Sequence, residues 1–178
     1  MAAFPLRSCG RLRTATVPLV AAPASMRPLA CGLIIKISKT SPRMCGSFGG
    51  ADSMLFDTDV LIGVFRGNEK AAEAVDRCDR RELSVVTSME LLQGARSKTE
   101  IRAIQAFLRD MGFHVMPLSE NIGHRALIYL EEYSLSHAIC MADALIAATA
   151  IESGTSLITG NVKHYRPIQE LQLRRFRP

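Results

Sequence analysis

MLFDTDVLIGVF, residues 54–65, opens as a short apolar run, meets an acid at Asp57 and continues as helix-forming sequence until Gly67 and Asn68. A brief strand that passes into a helix is the first half of a βα unit, and the pattern returns along the chain. Ala71, Ala72, Val75 and Cys78 have helical spacing over 69–79. LSVV (83–86) is β-prone, and ELLQGARSK (90–98) reads as helix. Ile101, Ile104, Leu108 and Met111 form a stripe that predicts a helix over 99–111, ended by Gly112. FHVMPL (113–118) reads as a strand. Ile122, Ala126, Leu130 and Tyr133 line one face of a helix over about 120–134. Residues 142–153 predict another helix, stopped by Gly154. SLITG (156–160) is a buried-strand signal, and LQLRRF (171–176) an edge-strand candidate. Strands alternating with helices predict an α/β fold, with a mainly parallel central sheet and helices on both faces.

The 178 residues suit one folded domain with an appendage. Five scattered cysteines, Cys9, Cys31, Cys45, Cys78 and Cys140, include no C-x-x-C pair. That argues against a disulfide scaffold or a structural zinc site and suits a reducing compartment. The net charge of +5 is unevenly spread. Seven of the 22 basic residues fall in residues 1–51, which contain no acid; the other 15 face all 17 acids, a net of −2. The basic excess therefore belongs to the leading segment and is no argument that the folded part binds nucleic acid.

Residues 1–53 are rich in Ala, Pro, Ser, Gly and Arg without sustained periodicity, and are expected to be a disordered basic extension, with the domain at 54–178. The composition resembles a transit peptide. A secretory reading, with VPLVAA and then Ala22-Pro23-Ala24, is weakened by the short apolar region and by Pro18. The preferred reading is an over-extended start, because Met54 abuts the first strand. No run here is long enough to span a bilayer.

Ligands of open α/β sheets lie beyond the carboxyl ends of the strands. Asp57 ends the first strand, Glu90 follows the second, Asn161 follows SLITG, and Asp143 sits in the first turn of an apolar helix. Carboxylates gathered at one edge repel one another unless a cation neutralises them. Mg²⁺ suits such a site because it takes hard oxygen ligands and keeps waters. Each acid also has a plain structural reading. Thr87-Ser88-Met89-Glu90 has the form of a capping box, Asp143 favours a helix dipole, and Asp59 reads as the N-cap of a helix starting at Val60. Asp57, inside apolar sequence, has no such obvious role. His114 reads as structural, and His124 and His137 lack ligand spacing. His164 reads more simply as a loop or surface histidine than as a general acid.

MLFDTDVLI (54–62), SVVTSMELLQGA (84–95) and MADALIAATAIESGTSLITGNVKHYRPI (141–168), in that order, resemble the PIN-domain nucleases, and among them the VapC-like ribonuclease toxins. The resemblance implies an α/β/α sandwich and a Mg²⁺-dependent endoribonuclease of a toxin–antitoxin pair, with Mn²⁺ as a substitute ion. It also implies an RNA substrate, a small antitoxin partner, a homodimer, a cytoplasmic location and no membrane. Carried over by position, Asp57 and Asp143 are the direct metal ligands. Glu90 binds a second metal or orients the attacking water. Asn161 holds a metal-bound water or the scissile phosphate. Relatives carry an acid at the positions of Asn161 or His164, and this departure leaves one metal or two open. Lys70, Arg77, Arg80, Arg81, Arg96, Lys98, Arg102 and Arg109 read as solvated helix faces over 69–82 and as a phosphate-tracking rim over 96–109.

Two rivals stand. LFDTDVLI approaches the motif of haloacid-dehalogenase-like phosphatases, but Leu61 stands where Thr or Val is expected and no later acidic pair appears. The other rival is a degenerate fold of the same family that only binds RNA or a partner, suggested by Asn161.

Overall fold

Leu55 and Phe56 are neighbours in one strand, both fully buried, and by strand alternation they point to opposite faces of the sheet. Apolar cover is therefore needed on both sides. The computed structural model describes residues 53–177. The readings of the leading segment up to residue 52 lie outside the described residues; Ser53 opens the first strand.

The elements alternate in chain order: β1 (Ser53–Phe56), α1 (Thr58–Phe65), α2 (Glu69–Asp76), β2 (Arg80–Ser84), α3 (Val85–Gln93), α4 (Lys98–Asp110), β3 (His114–Met116), α5 (Glu120–His137), α6 (Met141–Glu152), β4 (Ser156–Thr159), α7 (Val162–Tyr165) and β5 (Leu173–Arg175). The five strands are parallel, in the order β3-β2-β1-β4-β5. The chain steps outward from β1 to β3, then crosses back to place β4 on the other side of β1. That reversal makes the carboxyl ends of β1 and β4 a topological switch point, where such sheets open a crevice. Asp57 and Gly160 follow those two strand ends directly. Leu55 pairs in register with Leu157, and both join a core with Ile122, Ala126 and Tyr129 of α5 and the alanines of α6. On the opposite side the Phe56 ring meets Phe113 edge-on at 5.6 Å, and Phe65 meets Phe107 at 5.0 Å.

Helix α6 is apolar nearly all round, with Ala144, Ile146, Ala147, Ala148, Thr149 and Ala150 buried, as a helix enclosed by sheet and neighbours must be. Its buried Thr149 hydroxyl is satisfied by Leu145 O at 2.7 Å and lies 3.3 Å from Ser84 Oγ. Gly112 and Gly154 adopt positive φ just beyond α4 and α6, as expected from sequence. Among the described residues no helix is long and apolar enough to cross a membrane.

The second strand corrects the sequence reading. It occupies RRELS, not LSVV, and Val85 and Val86 open α3. Its charged residues are consumed locally. The Arg81 guanidinium donates to the carbonyls of Val75, Asp76 and Met111, tying the ends of α2 and α4 to the sheet. Arg80 donates to the buried Glu82 at 3.1 Å. Helix α3 is capped by Ser84, so the capping box expected at Thr87 does not form. It also ends at Gln93 rather than running through to residue 98. α7, absent from the sequence reading, forms a single turn after β4.

Candidate active site

Asp57 is the N-cap of α1, with extended backbone (φ −77°, ψ 159°), and its carboxylate accepts the Thr58 N–H at 2.7 Å. The cap role denied to it in the sequence reading is thus real, and Asp59, expected to cap, lies inside the helix instead. The Asp57 N–H donates to Ile158 O at 3.1 Å, which fastens the ends of β1 and β4 together. Asp57 is only 6% exposed. Burial pushes its carboxyl up to about 6, and nearby Asp59 adds to the rise; hydrogen bonds from Thr159, Thr58 and Tyr165 oppose it.

Asp143 stands in the first turn of α6. Its Oδ2 accepts the Cys140 N–H at 3.2 Å, so it also fills its structural capping role. The same oxygen lies 3.0 Å from His164 Nδ1, and its Oδ1 accepts from the Tyr165 hydroxyl at 3.4 Å. Tyr165 is fully buried and lies close to Asp57 as well. Burial, with the charges of Asp57 and Asp143 beside it, raises its phenol, so it stays protonated and donates to Asp143. Tyr165 is the residue that sequence reasoning missed. A tyrosine in a loop carries no signal until the turn of α7 puts it beneath the two acids.

Glu90, on α3, joins this group one hydrogen bond away: its Oε2 accepts from Thr58 Oγ1 at 2.5 Å. Asn161 joins through His164, its amide Nδ2 lying 2.9 Å from His164 Nδ1, while its own N–H donates to Thr159 Oγ1 at 2.9 Å. His164 is therefore not the free surface residue expected from sequence. Asp59 Oδ2 accepts the Gly160 N–H at 2.8 Å, and its Oδ1 is buried without a partner. Burial raises the Asp59 carboxyl too. A Cβ at residue 160 would meet Asp59 Oδ2 at 2.8 Å, so a side chain there would displace the Asp59 carboxylate from this bond. His114 lies on an exposed part of β3, away from these contacts.

The donor set is hard oxygen with one imidazole at its rim. Asp57 and Asp143 both lie beside the buried Tyr165 hydroxyl, which brings two carboxylates to one place. Among the described residues no three His, Cys, Asp or Glu side chains form a ready-made cage. A cation here would take two carboxylates and keep waters, which fits Mg²⁺.

Known proteins resemble this chain over its folded part. Residues 54–167 match the PIN domain family model. The chain is 35% identical over 123 residues to a protein named ribonuclease VapC10 from Mycobacterium tuberculosis, covering 67% of this chain and 90% of that one. A solved toxin–antitoxin complex from Klebsiella pneumoniae superposes with a TM-score of 0.58 at 29% identity, over 67% of this chain and 95% of the other. VapBC-1 from nontypeable Haemophilus influenzae gives a TM-score of 0.59 at 26% identity, over 68% and 96%. The chain belongs to the PIN domain family, which sets aside the phosphatase reading.

Proposed function

We propose that this PIN-domain chain is a VapC-type ribonuclease, the toxin of a toxin–antitoxin pair, and that it hydrolyses RNA phosphodiester bonds with Mg²⁺ held by Asp57 and Asp143. The observation that carries this reading is the buried Tyr165 hydroxyl donating to Asp143 beside Asp57 at the switch point of the sheet. The chemistry such an ion supplies is a more acidic water and neutralisation of charge developing on the phosphate. Asp57 and Asp143 provide the negative charge that draws it in. Tyr165 holds the Asp143 carboxylate and the Thr58 N–H that of Asp57, which reduces the reorganisation that binding requires. Glu90, steadied by Thr58, orients the attacking water and accepts its proton. The Asn161 amide donates to the scissile phosphate.

The basic residues divide as their partners dictate. Arg77 pairs with Glu73 one turn away, and Arg80 and Arg81 serve the fold. Arg96, Lys98, Arg102 and Arg109 are exposed and remain for the RNA backbone. The structural relatives described above are toxin–antitoxin complexes, which supports a small antitoxin as partner. Leu127, Ile128 and Leu135 on α5 are exposed, Leu135 completely, and supply apolar surface for that partner or for a homodimer. The working location is the cytoplasm, where the RNA is.

The test is cleavage of total RNA in Mg²⁺, then in Mn²⁺, by wild type, Asp57→Ala and Asp143→Ala. The expected result is loss of cleavage in both variants with circular dichroism unchanged. Persistent cleavage by either variant refutes the assignment. RNA binding without cleavage by the wild type would instead indicate a degenerate fold that only holds RNA or a partner.

A further inference from the structure

We infer that the cavity between α1 and the ends of β4 and β5 is a nucleotide subsite, which takes the RNA base next to the scissile phosphate and sets a base preference there, with Arg66 on the flanking phosphate. The inference rests on the ribonuclease reading above and concerns how that same site selects its RNA.

Asp59, Ile62 and Arg66 recur at the i, i+3, i+7 spacing that puts residues on one face of a helix. All three line a cavity of about 560 Å³, together with Gly160, Asn161 and Phe176. That volume falls in the range of about 300–1,000 Å³ typical of small-ligand sites. The cavity adjoins the acid cluster through Asn161, whose amide Nδ2 lies 2.9 Å from His164 Nδ1, itself 3.0 Å from Asp143 Oδ2. An RNA strand with its scissile phosphate at Asp57 and Asp143 therefore meets this cavity next. The wall on the sheet side is fixed in place. Asp59 Oδ2 accepts the Gly160 N–H at 2.8 Å, and the Phe176 N–H donates to Thr159 O at 2.8 Å.

The lining matches a nucleotide part by part. It is mainly apolar, as the face of a base requires, with the Asn161 amide at the end nearest the acids. Arg66 stands about 10 Å along the helix axis from Asp59, since each of seven residues rises about 1.5 Å, which leaves room for one nucleotide between them. Arg66 is exposed, and among the described residues its guanidinium makes no hydrogen bond or ion pair. Arg77, Arg80, Arg81 and Arg125, by contrast, are each bonded to an acid or a carbonyl.

Charge selects the occupant. Asp59 is the one acid in the lining, and it already carries the Gly160 N–H. Arg175 and Arg177, on either side of the buried Phe176, are exposed and add positive charge beside the rim. Apolar lining with cations around it suits a base joined to phosphates. The competing occupant is a partner's peptide tail, which would use the apolar lining and leave Arg66 idle.

The test uses the full chain and two readouts. The first withholds divalent cations with a chelator and follows binding of a short fluorescein-labelled RNA of random sequence by anisotropy at several salt concentrations. Arg66→Gln should weaken binding about threefold to tenfold and lower the slope of log affinity against log salt by about 0.7, the loss of one phosphate contact on a single strand. The second sequences the ends left on total RNA cut in Mg²⁺ or Mn²⁺. Wild type should prefer particular bases at a position beside the cut. Ile62→Trp, which fills the cavity, should flatten or change the preference at that position. Unchanged binding in Arg66→Gln, an unchanged preference in Ile62→Trp, or a wild type without preference beside the cut overturns the proposal. Loss of cleavage in Asp57→Ala would still leave the nuclease reading standing, with the cavity assigned to a partner's peptide. Arg66 serves the fold only through its backbone N–H, so should Ile62→Trp fail to fold, Arg66→Gln decides. A wild type that binds RNA without cutting it leaves the salt slope to decide. One that neither binds nor cuts RNA sinks the subsite and the nuclease reading together.

Discussion

Replacing Asp57 with Asn should stabilise the metal-free protein at neutral pH, although it removes a proposed catalytic ligand. Asn is nearly isosteric with Asp and serves equally well as an N-cap, so the local backbone need not change. What changes is the buried charge. The folded-state pKa of Asp57 is raised from 3.8 to about 6. Each unit corresponds to about 1.4 kcal/mol, so holding Asp57 ionised in the fold costs about 3 kcal/mol. For a carboxyl whose pKa is raised by folding, the folded state binds more protons than the unfolded state between the two values. The associated stability is complete below pH 3.8 and is lost as pH rises through about 6. The substituted amide does not titrate and loses nothing. Relative to wild type, the variant should gain little near pH 4 and about 2–3 kcal/mol by pH 7, reduced by roughly 0.5 kcal/mol for the lost charge–dipole term at α1. Urea denaturation of both proteins in chelator, from pH 4 to 8, gives the difference directly. A difference that is flat with pH, or a variant less stable than wild type at pH 7, would refute the reasoning. Saturating divalent cation should erase the advantage by stabilising wild type alone.

Three further outcomes follow from other contacts. Gly160→Ala forces a methyl onto Asp59 Oδ2 and should cost about 1–2 kcal/mol through the lost charge-assisted bond, discounted because Gly160 is exposed; the Asp59→Ala/Gly160→Ala double variant should cost no more than Asp59→Ala alone, and strict additivity in denaturant midpoints would refute the clamp. Ala138 ends α5 at φ 54°, so Ala138→Gly should raise stability by about 0.5–1 kcal/mol, read as a higher Tm. Thr58→Val removes the hydroxyl that Glu90 accepts from, and should cost about 1 kcal/mol in unfolding while lowering the RNA cleavage rate at unchanged KM.

The alternation of strands and helices was legible because each element buries one stripe or one face, and that periodicity is local. The run from residue 142 to 153 was likewise legible as an apolar helix; that it is enclosed nearly all round is a product of the fold. The boundary of β2 was not legible. Its first three residues are Arg80, Arg81 and Glu82, and their place in the sheet rests on the Arg81 guanidinium reaching carbonyls of two helices up to 30 positions away. Glu90 invited a capping-box reading that Ser84 pre-empted, because the helix begins three residues earlier than a cap at Thr87 requires.

Sequence by itself determined the α/β class and marked Asp57, Glu90 and Asp143 as acids near strand or helix ends, since strand termini and helix caps follow from neighbouring residues. Only the tertiary structure decided what those acids touch. Tyr165 and His164 against Asp143, and Asp59 on Gly160, are contacts across 21 to 101 positions of chain. They exist because the return of β4 beside β1 brings two distant strand ends to one crevice, and no local pattern encodes that return.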